Sequence, residues 1–273
     1  MHYGHFLLES LSRLSHYNGE KNIIWVGVTN NRKKFQEKIF NILGLEDVNH
    51  IYVTGSVTCE RLNVSEREYI IWDKFSKYHY DFLSVNDRVS ESFYNENVWL
   101  SRSGFDTYEN EFIIETLLLM RGWRILNLEE LEFEEQVSIF NSCKKIAGIE
   151  GTAFHNMIFS KLAIDDISIF SRRRNNPVNG NYRLISSVVN NKHKFFTPKI
   201  DPTGCVDVNT LFECLGLELN DTDYRVIKTL ENKIKTPMKR PHLLNRIRSI
   251  ATDTADRFSN ISKEMMDIFE KYN

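Results

Sequence analysis

Three short segments of this chain carry the side chains best suited to chemistry. The first is His2-Tyr3-Gly4-His5-Phe6-Leu7-Leu8-Glu9. On a helix, His5 and Glu9 stand four apart and share a face. A carboxylate beside an imidazole orients the ring and raises its basicity, as a general base near neutral pH requires. The same spacing also makes an ordinary exposed helical ion pair. The second segment is Trp99-Leu100-Ser101-Arg102-Ser103, followed by Asn110-Glu111. It reads as a strand ending in an arginine. That arginine either pairs bidentately with a phosphate or is a solvated loop residue. The third is Ile146-Ala147-Gly148-Ile149-Glu150-Gly151-Thr152-Ala153-Phe154-His155-Asn156, a strand, a small-residue turn and a helix start. Such a turn leaves N–H groups free for an anion, and Gly151 permits close approach. Glu150 could accept hydrogen bonds from ribose or sugar hydroxyls, and His155 reads equally as a core histidine.

The elements that must position these residues alternate along the chain. A helix is expected over 5–17, a strand over Asn22–Val28 and an amphipathic helix over 32–43, stopped at Gly44. Short strands are expected near 50–54, 57–62 and 68–71, and a mostly helical, aromatic-rich stretch over 73–93. Phe75, Tyr78, Tyr80 and Phe82 in it read as core packing rather than a sugar platform. The alternation restarts with a strand at 98–101, a helix over 109–121 stopped by Gly122, and a strand at 123–127. A helix over 130–143, a strand at 144–149, a short helix at 154–161 and a strand at 167–170 follow. Beyond about 220 the pattern is helical. Strands alternating with helices argue for an α/β protein. The boundary is placed near residue 95, giving two Rossmann-like halves and a helical tail.

Composition narrows the function classes. Lys and Arg total 35 against 37 Asp and Glu, a net charge of -2, so no basic excess suits the chain to coat nucleic acid. No apolar run approaches the roughly 18 residues of a membrane span. The four cysteines form no CxxC pair and read as free thiols of a reduced, cytoplasmic chain, with Cys59 and Cys143 buried. No zinc spacing and no GxSxG elbow is present. Asp221 and Asp223 have the spacing of a carboxylate pair for a divalent cation, although acidic capping of the following helix explains them better. Lys233, Lys235, Lys239, Arg240, Arg246 and Arg248 make a basic stretch, read as a solvated face that could also touch an anionic membrane surface or an acidic polymer.

Taken in order, these segments resemble glycosyltransferase family 61. The matching pieces are HYGHFLLESLSRL at the start, CERLNVSEREY at 59–69, WLSRSGFDTYENE at 99–111 and GWRILNLEELEFEEQVSIFNSCKKIAGIEGTAFHNMIF at 122–159. The likeness is to the bacterial capsule and surface-polysaccharide branch and covers roughly residues 1–170. It departs in the Gly-rich turn, where many members carry His-Gly-Ala and this chain has Glu150-Gly151-Thr152, so His155 is expected to take over the missing histidine's role. It also departs at the start, where relatives have more chain, so the first domain is expected to be incomplete.

The resemblance implies a GT-B-like fold. Residues 1–95 would form an acceptor-side domain, 96–219 a nucleotide-sugar-binding domain and 220–273 a helical tail. It implies inverting transfer from a nucleotide-sugar to a glycan or lipid-linked glycan, without an obligatory metal or other cofactor, at the cytoplasmic face of the plasma membrane. The peripheral contact would run through 233–248. On that reading His5 or Glu9 is the base. Ser101, Arg102, Gly151, Thr152 and His155 bind the donor phosphates, and Glu150 and Asn156 position the donor or the turn. The competing readings are a catalytically inactive nucleotide- or glycan-binding scaffold of the same fold, a metal-dependent transferase using Asp221 and Asp223, and a polymer-binding module.

Overall fold

The structure is a computed structural model and describes residues 3–27, 33–84, 93–102, 108–161, 164, 166–189 and 192–234. The chain opens helically. Tyr3–His5 is α-helical (α1), Phe6–Ser10 continues as a π-helical turn and Leu11–His16 as 3-10 turns. The single helix expected over 5–17 is therefore a helical path whose hydrogen bonding loosens and then tightens. Its apolar stripe is intact, with Phe6, Leu7, Leu11 and Leu14 all buried.

A βαβ unit follows. Strands β1 (Asn22–Val26) and β2 (Asn49–Val53) pair in parallel, and α2 (Lys34–Ile42) connects them. Ile39 and Phe40 bury the apolar side of α2, and Phe40 stacks on His50. A short hairpin of β3 (Tyr69–Ile70) and β4 (Lys74–Phe75) leads into α3 (Lys77–Leu83), capped by Ser76 Oγ accepting from His79 N. Two expectations fail here. Residues 57–62 are irregular, because none of the described strands pairs with them and Val57 and Leu62 face solvent. Cys59 is consequently exposed, whereas Cys143 is buried as expected. The helix expected over 73–93 is cut to α3, and 85–92 lie outside the described residues. Phe75 and Tyr80 are core, while Tyr78 is exposed and its ring lies tilted against His16.

The second half builds one parallel sheet from β5 (Asn97–Leu100), β6 (Arg124–Leu126), β7 (Lys145–Ile149), β8 (Asp166–Phe170) and β9 (His193–Phe196). The order is β6-β5-β7-β8-β9. The inner strands are apolar on both faces, as a sheet covered on both sides demands. The edge strand β9, His-Lys-Phe-Phe, lacks that signature and escapes a sequence reading. Alternate residues of the strands divide the core. Val98, Leu100 and Ile146 face one layer, and Trp99, Ala147 and Ile149 the other.

Helix α4 (Glu111–Leu119) lies on the second of these layers and α5 (Phe133–Ser142) on the first. The 3-10 segment Thr152–Phe159 and α6 (Gly180–Ser186) join the α5 layer, and α7 (Val208–Cys214) and α8 (Asp221–Ile234) the α4 layer. Residue 95 lies just ahead of β5. Across it the halves share one buried cluster, in which Phe6, Leu7 and Phe40 join Val98, Phe140 and Phe154.

Helix α8, the described part of the segment 220–273, is built into the α4 layer through Val226 and Leu230. Asp223 at its start is 2% exposed, and its carboxylate accepts both terminal nitrogens of Arg121 and the N–H of Asn220. These oxygens are committed to a structural ion pair, which sets aside the metal reading of Asp221 and Asp223. Of the basic stretch, Lys233 lies in the last turn of α8 and the rest falls outside the described residues.

Beneath the hairpin, His79 is fully buried against Phe75 and Phe82, and neither ring nitrogen has a hydrogen-bond partner. Burial lowers its pKa to about 4. The ring is neutral in the fold but takes a proton in the unfolded chain below its ordinary value. The unfolded state then binds more protons, so stability falls as pH drops from about 6.5 toward 4. Nearby Glu68, held down to about 2 by Ser76, His16 and Lys74, acts in a lower window, losing its contribution below the ordinary carboxylate range. His79→Phe is expected to remove the histidine's share, roughly 2 kcal/mol between about pH 7 and about pH 5. Urea midpoints at the two pH values read it: the variant should lose less stability than the parent, and equal losses would refute the assignment.

Candidate active site

Counted from β5, the sheet order is 2-1-3-4-5, and it reverses between β5 and β7. In open α/β sheets, ligands bind beyond the carboxyl ends of the strands at such a point. A cleft of about 660 Å³ opens there. It is lined by His5 and Glu9, by Ser101 and Arg102 after β5, and by Glu150, Gly151, Thr152 and His155 after β7. The three segments singled out in the sequence thus meet in one cavity.

The β5 wall is fixed from behind. Ser101 N closes the ladder on Leu126 O at 2.9 Å. The next N–H, of Arg102, donates to Glu111 Oε1 at 2.9 Å, which also accepts Trp99 Nε1 at 3.3 Å. Asn110 beside it is buried and clamps the backbone of Val206, accepting from its N–H at 2.9 Å and donating to its C=O at 2.8 Å. The Asn-Glu pair downstream of the arginine therefore sets the direction in which Arg102 leaves the strand.

The Arg102 guanidinium lies against Gly151. A Cβ at 151 would overlap Nη1 and lie 3.0 Å from Cζ, so the guanidinium occupies the space a side chain would fill. Burial, then the neighbouring positive charge of Arg172, pushes its pKa below the ordinary value, with Glu111, Tyr182 and Glu150 opposing. A guanidinium starts so high that it stays charged. Two like charges at one cleft wall create a potential that favours an anion between them. The first N–H groups of the 3-10 segment, from Thr152 onward, add to it because the start of a helix leaves donors without intrahelical partners.

Glu150 has a different task from the one its exposure in a turn suggests. Its carboxylate is 4% exposed, and it accepts Arg172 N at 3.1 Å and Asn179 N at 2.7 Å. It pins both ends of the loop after β8 and so holds Arg172 at the cleft. Tyr182, from α6, donates to Gly151 O at 2.8 Å and stacks on His155 at 5.2 Å. His155 lines the cleft, and its Nδ1 sits under Gly4 without a hydrogen-bond partner. Burial lowers the ring to about 4, so near pH 7 it is a neutral hydrogen-bonding group and adds no positive charge.

The opposite wall is α1 and the turn after it. His5 Nδ1 bonds Glu9 Oε1, and both side chains are partly open to solvent. Gly4 lets α1 approach closely: a Cβ there would lie 2.8 Å from His155 Nδ1 and 3.2 Å from Thr152 Cγ2. Tyr3 OH donates to Asn156 Oδ1 at 2.5 Å, and Asn156 Nδ2 donates to Gln136 Oε1 at 2.9 Å. Asn156 is fully buried behind the wall, so it ties three elements together and does not face the cleft. Glu135 caps α5 through Glu132 N at 3.0 Å. Sequence reasoning left Gln136 aside and missed Arg172, Asn179 and Tyr182 as lining residues. The run Arg172-Arg173-Arg174 was the one available signal for the first of them.

An open parallel α/β sheet with an anion-suited cleft at its switch point is a ligand-binding class of architecture, hospitable to many chemistries. Its particular chemistry comes from comparison. Residues 3–163 match the family described as Glycosyltransferase 61, and the chain belongs to that family. The protein is a glycosyltransferase. No curated protein and no solved structure matches the chain. The matched residues supply the α1 wall, Arg102 and the Gly151 turn, while Arg172, Asn179 and Tyr182 lie beyond them. No described helix is long and apolar enough to cross a membrane, and no group of three or more His, Cys, Asp or Glu among the described residues could hold a metal ion.

Proposed function

We propose that the protein moves a sugar from a nucleotide-sugar to a glycan acceptor with inversion, as a step in capsule, lipopolysaccharide or other bacterial surface-polysaccharide synthesis. The observation that carries this reading is the pairing of walls. The His5–Glu9 pair faces the same cleft as Arg102, Gly151 and Arg172. Inverting transfer needs a base to take the acceptor proton and positive potential on the departing diphosphate. His5, oriented by Glu9, is assigned the first role. Arg102, Arg172 and the N–H groups at Gly151 and Thr152 take the second, with His155 as a neutral donor. Two guanidinium groups supply the positive charge, so a metal is not required.

In this reading residues 1–95 are the acceptor-side lobe and 96–219 the donor-side lobe of a GT-B-like arrangement. The enzyme works in the cytoplasm, peripherally at the inner membrane face where lipid-linked acceptors lie.

A thermal-shift panel with UDP, GDP, CMP, ADP and dTDP, each with and without EDTA, tests it. A ligand at 100 times its Kd adds about 2.7 kcal/mol to the native state. That amounts to a rise of several degrees in Tm. One nucleotide should produce it, unchanged by EDTA, and the matching nucleotide-sugars then give the turnover assay. His5→Ala and Glu9→Gln should keep the shift and lose turnover. A flat panel from folded protein would refute the donor site, and full turnover in both variants would place the base elsewhere.

A further inference from the structure

Trp72 stands at the tip of the β3–β4 hairpin with φ +66, in the left-handed region that a bulky residue avoids. Its side chain is 65% exposed, so the fold gains little burial in return for the strained backbone. The other described tryptophans behave differently: Trp99 and Trp123 are buried and Trp25 packs on Phe40. Yet Trp72 is held in place. Its N–H donates to Asn181 Oδ1 at 3.0 Å. The six-membered ring rests on Gly180, where a Cβ would lie 2.9 Å from Cζ3 and 3.0 Å from Cε3. Its chain neighbour Ile71 lines the cleft, and so do Asn179 and Asn181, which flank Gly180. The ring is therefore fixed at the rim, beside the loop that Glu150 pins.

Backbone strain that folding does not need is found where a site is pre-arranged for a ligand. An open indole face is electron-rich and attracts the slightly positive C–H edge of a pyranose. Asn181 spends its Oδ1 on Trp72, and its Nδ2 has no protein partner among the described residues, leaving a donor for a sugar hydroxyl beside the ring. We infer that Trp72, seated on Gly180 and flanked by Asn179 and Asn181, is a saccharide subsite that grips a sugar ring of the acceptor glycan next to the transfer site. A nucleobase fits the arrangement less well, because the ring is open to solvent and no second wall covers it among the described residues. This inference rests on the glycan-acceptor reading of the cleft.

The test uses the intrinsic fluorescence of the full chain, in which Trp72 is the solvent-exposed indole. The probes are hexasaccharides of β-linked glucose, xylose, galactose and N-acetylglucosamine and of α-linked mannose, each with the nucleotide selected by thermal shift. At least one should shift the emission saturably. Measured by titration calorimetry, since one variant lacks the reporting indole, Trp72→Gly, which relieves the backbone, and Gly180→Ala, which tilts the ring without removing it, should each weaken that saccharide at least tenfold. Trp72→Gly should melt no lower than the parent, and both variants should keep the nucleotide's thermal shift. The inference is overturned if no hexasaccharide moves the emission, if both variants bind as the parent does, or if the nucleotide alone produces the shift and loses affinity in Trp72→Gly. Saccharide binding that persists without any nucleotide shift would overturn the donor reading and leave this subsite standing.

Discussion

Arg102→Ala is expected to cut turnover by about 10²–10³-fold, the usual cost of losing one pre-set donor to developing charge, equivalent to about 3–4 kcal/mol. The magnitude follows from how the residue is held. Its backbone is fixed by Glu111 and its guanidinium fills the space over Gly151, so it is already in place before a substrate arrives. The nucleotide's thermal shift should shrink with it. Gly151→Ala separates loss of charge from loss of position. The new methyl group meets the far end of a flexible side chain, so the protein should fold, but Arg102 must move aside. Turnover should fall in the same direction by a smaller factor. Near-full turnover in Arg102→Ala would sink the phosphate assignment, and an unaffected Gly151→Ala would show that the guanidinium's placement does not matter.

The largest effect on stability is expected from Asp223→Ala, far from the cleft. The carboxylate is buried and carries the Arg121 guanidinium and the first turn of α8. Removing one member of a buried pair leaves the other desolvated, at roughly 3 kcal/mol or more. Arg121 keeps Leu117 O and Glu218 O, both at 3.0 Å, which places the loss near the lower end. For a chain of this size the melting point should drop by roughly 6–12 °C. Nucleotide binding should be retained below that temperature. A variant that melts like the parent but loses activity would return Asp223 to the chemistry.

Much of the sheet was legible in the sequence, because β5, β7 and β8 are apolar runs bounded by helices of clear periodicity. β9 was not, since an edge strand of His-Lys-Phe-Phe takes its place from pairing with β8. The π-helical turn at Phe6–Ser10 was equally hidden, for periodicity reports the buried face and not the hydrogen-bond step. Of the site, His5, Glu9, Ser101, Arg102, Glu150, Gly151, Thr152 and His155 were named in advance and line one cleft. Their individual tasks were harder to read. Glu150 looked like a sugar contact, yet its partners are backbone N–H groups of a distant loop. Asn156 looked like a donor contact, yet it faces inward to Tyr3 and Gln136. Tyr182 reaches the site only by crossing from α6, and no local pattern announces that.

The hydrogen bond from Tyr3 to Asn156 spans 153 positions of sequence. It sets an order of assembly on the ribosome. Phe6 meets Trp25, Phe35 and Phe40 from the nearby βαβ unit, but Val98, Phe140 and Phe154, which complete the same cluster, are made much later. A short helical path has little stability alone. At about 5–20 residues per second, the segment waits on the order of ten seconds or more for the rest of that cluster. The wall bearing His5 and Glu9 therefore faces the rest of the cleft only once the parallel sheet is in place. A nascent chain stalled before β7 has no cleft, because Glu150, Gly151, Thr152 and His155 are not yet made.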